Sequence, residues 1–294
     1  MMAKELSRRW AVALVGVPLV VVVLYVGSWA LAAVIGVIAA LGADECYRLA
    51  RRKGVRPVTW VGVPTAGVFA ILAVWSATPR DFAASSFLVF GVAALIVLVW
   101  VTFWRGAEGE PLAAGAATLF GAIYPGLALA LVPLLHALPR QSGWSAEPTE
   151  AWAAVAMVAL PLTATWVGDA TAYFAGSAWG RRRLAPAISP NKSWEGAVAG
   201  VAGAAVGAAV WYLVVARLLP GVPLTALSSA GLGALLGVGA IVGDLAESVL
   251  KRDAGVKDSG TLLPGHGGVL DRVDALVVTL PLSYGLLLLL DAAR

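Results

Sequence analysis

Apolar runs of about 20 residues recur along nearly the whole chain, and a run of that length is what a helix needs to cross the hydrocarbon core of a bilayer. Nothing constrains the fold more. In a bilayer every backbone polar group must find its partner internally, so such runs fold as helices packed on one another. Of the 294 residues 60% are hydrophobic and only 13% charged, whereas soluble domains carry about a quarter charged. The expected class is therefore an all-α integral membrane protein, a polytopic bundle of about nine transmembrane helices with a polar, cytoplasm-facing cavity. A soluble protein with a large core does not account for so many long runs.

The spans read as residues 10–26, 29–41, 58–75, 82–103, 112–135 (interrupted by Pro125-Gly126), a sixth from Trp152 that turns polar at Thr163, then 197–219, 223–250 and 269–290. The first follows Lys4, Arg8 and Arg9, the charged start of a signal peptide, but it is long and runs at once into a second span. It reads as a membrane helix that stays. Residues 136–150 read as an outside connector holding His136. The seventh and eighth spans are rich in Gly and Ala, which lets membrane helices approach closely. With the N-terminus inside, Arg51, Arg52, Lys53, Arg56, Arg105, Arg181, Arg182, Arg183, Lys192, Lys251, Arg252 and Lys257 share one side, against Arg80, Arg140, Arg217 and Arg294 on the other. That asymmetry follows the positive-inside rule, and it also accounts for the net charge of +4 without a nucleic-acid partner. The single cysteine, Cys46, excludes an internal disulfide framework or a cysteine-rich metal site. The twelve tryptophans fall mostly near span ends and read as interface anchors.

Against this background residues 248–274 stand out: SVLKRDAGVKDSGTLLPGHGGVLDRVD. Asp244 and Glu247 are three apart at the end of the eighth span, and Asp271 and Asp274 are three apart at the start of the ninth. Residues at that spacing share a helix face, so two helices and their connector bring two pairs of acids together. Hard carboxylate oxygens suit Mg²⁺. Helix capping explains one such acid, Asp271, but not two pairs. Gly265-His266-Gly267-Gly268 is an ordinary turn or an anion cradle, bracketed by Lys251, Arg252, Lys257 and Arg272, with Asp258 beside them. Asp169 and Tyr173, four apart, share a face of the sixth span; the plainer reading is a polar helix contact. Ser189 and Lys192 stand at a helix entry, where Lys192 is either solvated or a phosphate ligand, and Arg181 to Arg183 read as a topology signal. Cations, acids and a glycine turn next to lipid suit phosphoryl or nucleotidyl transfer on a lipid phosphate. The rival is an ion-coupled transporter with Asp169, Asp244 and Asp271 as ion ligands; it expects acids deep in the spans with few cations around them.

Two stretches carry a resemblance. Ser248 to Asp274, through Lys251-Arg252-Asp253, Lys257-Asp258, Pro264, His266 and Leu270-Asp271-Arg272, is similar to the signature of the phosphatidate cytidylyltransferase (CDP-diacylglycerol synthase) family. Gly168-Asp169 through Tyr173 to Ser189-Pro190-Asn191-Lys192-Ser193-Trp194-Glu195-Gly196 resembles that family's other recurrent stretch. The resemblance implies a multi-pass protein of a bacterial inner membrane, with its N-terminus and site on the cytoplasmic side. It implies CTP and phosphatidic acid as substrates, Mg²⁺ as cofactor with a monovalent cation such as K⁺ beside it, and a homodimer. By position, Asp244 and Asp271 look like the metal-binding acids, sharing one ion, with Glu247 and Asp274 in support. Lys251, Arg252 and Arg272 would act on the phosphates. Ser248, Lys257, Asp258, His266, Gly267 and Gly268 would shape the nucleotide pocket, and Asp169, Tyr173, Ser189 and Lys192 would complete the cavity. Residues 1–150 divide off as a five-span scaffold and residues 151–294 as the catalytic region.

Overall fold

The computed structural model describes residues 16–76, 78–145, 147–262 and 267–293. Eleven α-helices follow in order: α1 (Gly16–Val26), α2 (Ser28–Arg52), α3 (Thr59–Trp75), α4 (Pro79–Trp104), α5 (Pro111–Leu129), α6 (Leu131–Gln141), α7 (Glu150–Trp179), α8 (Trp194–Val215), α9 (Ala226–Asp253), α10 (Leu270–Val273) and α11 (Leu276–Ala292). Seven stretches are long and apolar enough to cross a membrane: α2, α4, α5–α6 together, α7, α8, α9 and α10–α11 together. The helices α1 and α3 are shorter apolar helices over their described residues.

Local chemistry sets the ends. Thr78 caps α4 through its hydroxyl to the Asp81 N–H, with Pro79 in the first turn. Ser193 caps α8 by accepting from the Gly196 N–H at 3.1 Å, and Thr225 and Ser228 form a reciprocal capping box at the start of α9. At the far ends, Arg51 and Arg52 close α2 and Lys251 and Arg252 close α9, where the helix dipole favours positive charge. The chain is not wholly helical: strands β1 (Arg183–Ala185) and β2 (Ser189–Ser193) pair antiparallel between α7 and α8. The expected connector at 136–150 is also shorter than read, because α6 carries on to Gln141. His136 lies inside that helix and its Nε2 meets the Leu24 carbonyl at 2.6 Å.

Cross-bundle contacts sort the ends of the helices. Lys53 pairs with Asp253 at 3.0 Å, Arg105 bonds the Arg56 carbonyl, and Arg252 Nε donates to the Ile188 carbonyl at 3.2 Å. The basic loops thus lie together at one end of the bundle. At the other end, Ser142 and the Trp144 indole donate to Asp291 at 2.9 and 3.0 Å. One buried apolar cluster, from Leu31 and Phe69 through Met157 and Leu160 to Leu280 and Leu287, runs through both halves of the chain.

The small-residue seam expected of the Gly-rich spans is present. Helix α8 lies between α7 and α9; Gly168 and Gly200 face each other across the first contact, and Gly233 rests against Ala204 and Ala208 in the second. A methyl group at Gly233 would stand only 2.5 Å from the Ala208 Cβ, so α8 and α9 would have to part. At Gly231, two residues away, a Cβ meets nothing within 4 Å. The two substitutions therefore carry opposite signs. Gly233→Ala is expected to cost about 1–3 kcal/mol by overpacking, and Gly231→Ala to gain up to about 1 kcal/mol of helix propensity. Tryptophan-detected melting in detergent measures both; equal midpoints would refute the seam.

Candidate active site

The polar end of α7, the hairpin, and the facing ends of α8 and α9 enclose a cavity of about 660 Å³ lined by Asp169, Tyr173, Arg183, Asn191, Lys192 and Asp244, among others. The hairpin is what turns this end of the bundle into a pocket. Glu195, in the first turn of α8, accepts from the Arg181 and Arg182 backbone N–H groups at 3.1 and 3.2 Å, which fixes the entry to β1. Ser193 sits between Gly180 and Gly196, where a side chain on either glycine would strike its hydroxyl. Held this way, β2 aims Lys192 across the cavity to Asp244 Oδ2, 2.5 Å away on α9. Ser248, one turn further along α9, donates to Asp244 Oδ1 at 3.4 Å.

A second cluster lies behind the first, under the connector from α9 to α10. Lys251 is buried, and its ammonium sits between Glu247 Oε2 at 2.5 Å and Asp271 Oδ1 at 2.6 Å. Asp271 Oδ2 accepts from the Ser259 N–H at 2.9 Å and from the Gly268 N–H at 2.8 Å, with the Ser259 hydroxyl, shared with Glu45, also 2.9 Å away. Gly267 has φ of +78°, a left-handed conformation open to glycine, and its Cα faces Asp271 so closely that a Cβ would stand 2.7 Å from Oδ2. Asp274 lies within electrostatic reach of Asp244, Asp169 and Lys251 and so links the two clusters; its Oδ1 accepts from the Ala275 N–H at 2.8 Å.

The residues singled out by sequence therefore divide. Asp169, Tyr173, Lys192 and Asp244 line one cavity, and Glu247, Lys251, Gly267, Gly268 and Asp271 surround one buried ammonium or its acid partner. Ser189 opens β2 opposite Ala185, and Arg252 holds the hairpin through Ile188 and the turn after α9 through the Val256 carbonyl at 3.0 Å. Lys257, Asp258 and Arg272 are exposed. His266 lies outside the described residues.

The pattern of the Cytidylyltransferase family matches residues 7–290. The chain belongs to this family. It is similar to a phosphatidate cytidylyltransferase of Synechocystis sp., 33% identical over 97% of both chains. It also resembles one of Brucella abortus, 43% identical over 67% of this chain and 63% of that one, and one of Thermotoga maritima, 45% identical over 42% and 46%. As a member of the cytidylyltransferase family the chain is a nucleotidyltransferase, and the polar cavity among membrane-grade helices is where its chemistry is to be sought.

The donors of this cytidylyltransferase suit a hard divalent cation in kind, being carboxylate oxygens in excess over nearby ammonium groups. Among the described residues no three His, Cys, Asp or Glu side chains are arranged as a ready-made metal cage. Asp244 and Asp271 each hold a different lysine, and Asp271 is saturated, with Lys251 on one oxygen and the Ser259 and Gly268 N–H groups on the other.

Two residues escaped the sequence reading. Glu45 on α2 is completely buried and bonds Ser259 and the Leu270 N–H. It shares the buried face of Gly42, Cys46 and Leu49, and an acid on the buried face of a membrane helix is a signal in itself. Ser259 had no such signal, since an isolated serine in a polar loop looks like any other.

Proposed function

We propose that this chain transfers a cytidylyl group from CTP to phosphatidic acid, giving CDP-diacylglycerol and pyrophosphate. A lipid phosphate oxygen forms the new bond to the α-phosphorus of CTP, the bond to the β-phosphate bridging oxygen breaks, and pyrophosphate leaves with that electron pair. A phosphate monoester is already anionic near neutral pH, so no general base is required. The observation that carries this reading is the polar cavity headed by Lys192 and Asp244, set at the ends of membrane-grade helices, where a nucleotide from water and a lipid from the bilayer can meet.

In this reading Lys192, Lys251, Arg252 and Arg272 neutralise and orient phosphates, Arg by bidentate contact. Asp169, Tyr173, Ser189, Ser248, Lys257, Asp258, His266, Gly267 and Gly268 shape the nucleotide and headgroup pocket. Asp244 and Asp271 would hold Mg²⁺, with Glu247 and Asp274 beside them and a monovalent cation such as K⁺ nearby; Asp271 joins only when Lys251 yields its place. Bound there, Mg²⁺ supplies charge neutralisation on the departing pyrophosphate. The same reading places the basic end of the bundle in the cytoplasm of a bacterial cell, with nine crossings in a homodimer and residues 1–150 chiefly as scaffold.

Purified protein incubated with labelled CTP, phosphatidic acid and Mg²⁺ is expected to form labelled CDP-diacylglycerol, and Asp244→Asn to form at least about 100-fold less, the scale set by removing one preorganised electrostatic contact. Wild-type protein that makes no product with any acyl chain would overturn the substrate assignment. Unchanged turnover in Asp244→Asn would remove Asp244 from the site.

A further inference from the structure

Glu45 lies on α2, far from the signature loop in sequence and outside every motif, yet it is 0% exposed. Its Oε2 accepts from the Ser259 hydroxyl and from the Leu270 N–H, each at 2.9 Å and across separations of 214 and 225 residues. Its carboxylate also fills the space over two glycines of the loop: a Cβ at Gly268 would stand 2.6 Å from Oε1, and one at Gly260 would stand 2.9 Å from Cδ. The same Ser259 hydroxyl lies 2.9 Å from Asp271 Oδ2, which also takes the Ser259 and Gly268 N–H groups. Ser259 thus joins α2 to Asp271, its hydroxyl bonding Glu45 and its N–H bonding Asp271. Burying a carboxylate without partners is unfavourable by several kcal/mol, so a chain keeps one where its bonds are used.

We propose that Glu45 is a positioning residue for the active site: it fastens the connector at Ser259 and the start of α10 at Leu270, and through Ser259 it sets the orientation of Asp271. The N-terminal half of the chain then takes part in building the site instead of only supporting it. This rests on the reading of Asp271 as a site residue, so its test needs a measurement that does not depend on turnover.

That measurement is hydrogen–deuterium exchange in a peptide covering residues 259–271, followed alongside kcat and KM for CTP in the full-length protein. Glu45→Ala removes both bonds. Exchange in that peptide is expected to rise about tenfold or more while helices α7 and α8 stay protected, with kcat falling about tenfold and KM for CTP moving by less than about threefold, since a lost hydrogen bond to a charged group is worth about 1.5–3 kcal/mol. Glu45→Gln is the discriminating variant. One oxygen of Glu45 takes both bonds, so the amide oxygen can take them too; the other loses only a 3.5 Å ion pair with half-exposed Arg48, which is worth little, and exchange and kcat should return to within about threefold of wild type. Ser259→Ala removes the hydroxyl from Glu45 but keeps the Leu270 N–H on Glu45 and the Ser259 N–H on Asp271, and it carries the test if Glu45→Ala fails to fold; it should lower kcat by about threefold to tenfold with a smaller rise in exchange. Unchanged exchange at 259–271 in Glu45→Ala or Ser259→Ala overturns the proposal, as does a Glu45→Gln protein no better than Glu45→Ala. A wild type that lacks cytidylyl transfer while Glu45→Ala still loosens the peptide would sink the substrate assignment and leave the fastening intact.

Discussion

Replacing Lys192 by methionine is expected to lower CDP-diacylglycerol formation at least about 100-fold while leaving the melting temperature within a few degrees of wild type. The two halves of that expectation have separate causes. Lys192 is carried by a hairpin at the margin of the bundle, and its side chain and that of Asp244 are 25% and 37% exposed. Ion pairs with that much contact with water contribute little to folding. The same ammonium reaches into the cavity from the side opposite α9, where a polyphosphate would need a fixed positive charge; losing one preorganised contact of that kind lowers turnover about 10²–10³-fold. Lys192→Arg keeps the charge but changes its shape and reach, and an intermediate rate is expected. The assay is initial rate against CTP at saturating phosphatidic acid, with melting on the same sample. A Lys192→Met rate within threefold of wild type would take Lys192 out of the chemistry and leave it as a surface ion pair.

Lys251 should behave in the opposite way. Its side chain is 11% exposed, with Glu247 at 0% and Asp271 at 7%. Lys251→Met removes the only ammonium within ion-pair distance of either acid among the described residues and leaves two buried carboxylates without their cation. Breaking a buried ion pair from one side costs about 3–5 kcal/mol, so this protein should melt roughly 10 °C or more below wild type, or fail to accumulate. The check is a second substitution. Lys251→Met with Glu247→Gln takes away one stranded charge, while Asp271 keeps its bonds to Ser259 and Gly268. The double variant should recover several degrees of stability and little activity. A single variant that melts with wild type would show that water or another cation serves the two acids as well as the lysine does.

The division of the chain into membrane helices was legible because a span is a local property: about 20 apolar residues in a row need no knowledge of neighbours. The sorting of basic loops to one end was legible for a related reason, and contacts such as Lys53 with Asp253 bear it out. Asp244 and Lys192 were each visible as candidates, but their pairing was not, because nothing local joins a hairpin to the end of a later helix. The hairpin itself was hidden: its five-residue second strand, Ser-Pro-Asn-Lys-Ser, has neither alternating apolar residues nor β-branched ones, and it forms because Glu195 and Ser193 anchor its ends. His136 was assigned to a loop because residues 136–150 are polar and hold two prolines, Pro139 and Pro148, and the helix persists because α6 is buried against its neighbours along Val132, Leu135 and Leu138. Glu45 was the largest omission. Its neighbours Asp44 and Arg48 are about half exposed and pair with each other at 3.6 Å, Arg48 also reaching Glu45 at 3.5 Å, and in sequence nothing separates the buried acid from its exposed neighbours.

The charges around the cavity are arranged in two zones. The outer zone is basic, with Arg181, Arg182 and Arg183 on the hairpin and Arg51, Arg52 and Lys53 on the neighbouring helix end, all exposed. The inner zone is acidic: Asp169, Asp244 and Asp274 around Lys192, then Glu247 and Asp271 around Lys251. On the proposed reading, the outer zone would draw a polyphosphate to the rim, and the acids within would favour one whose charge is already partly compensated by a cation.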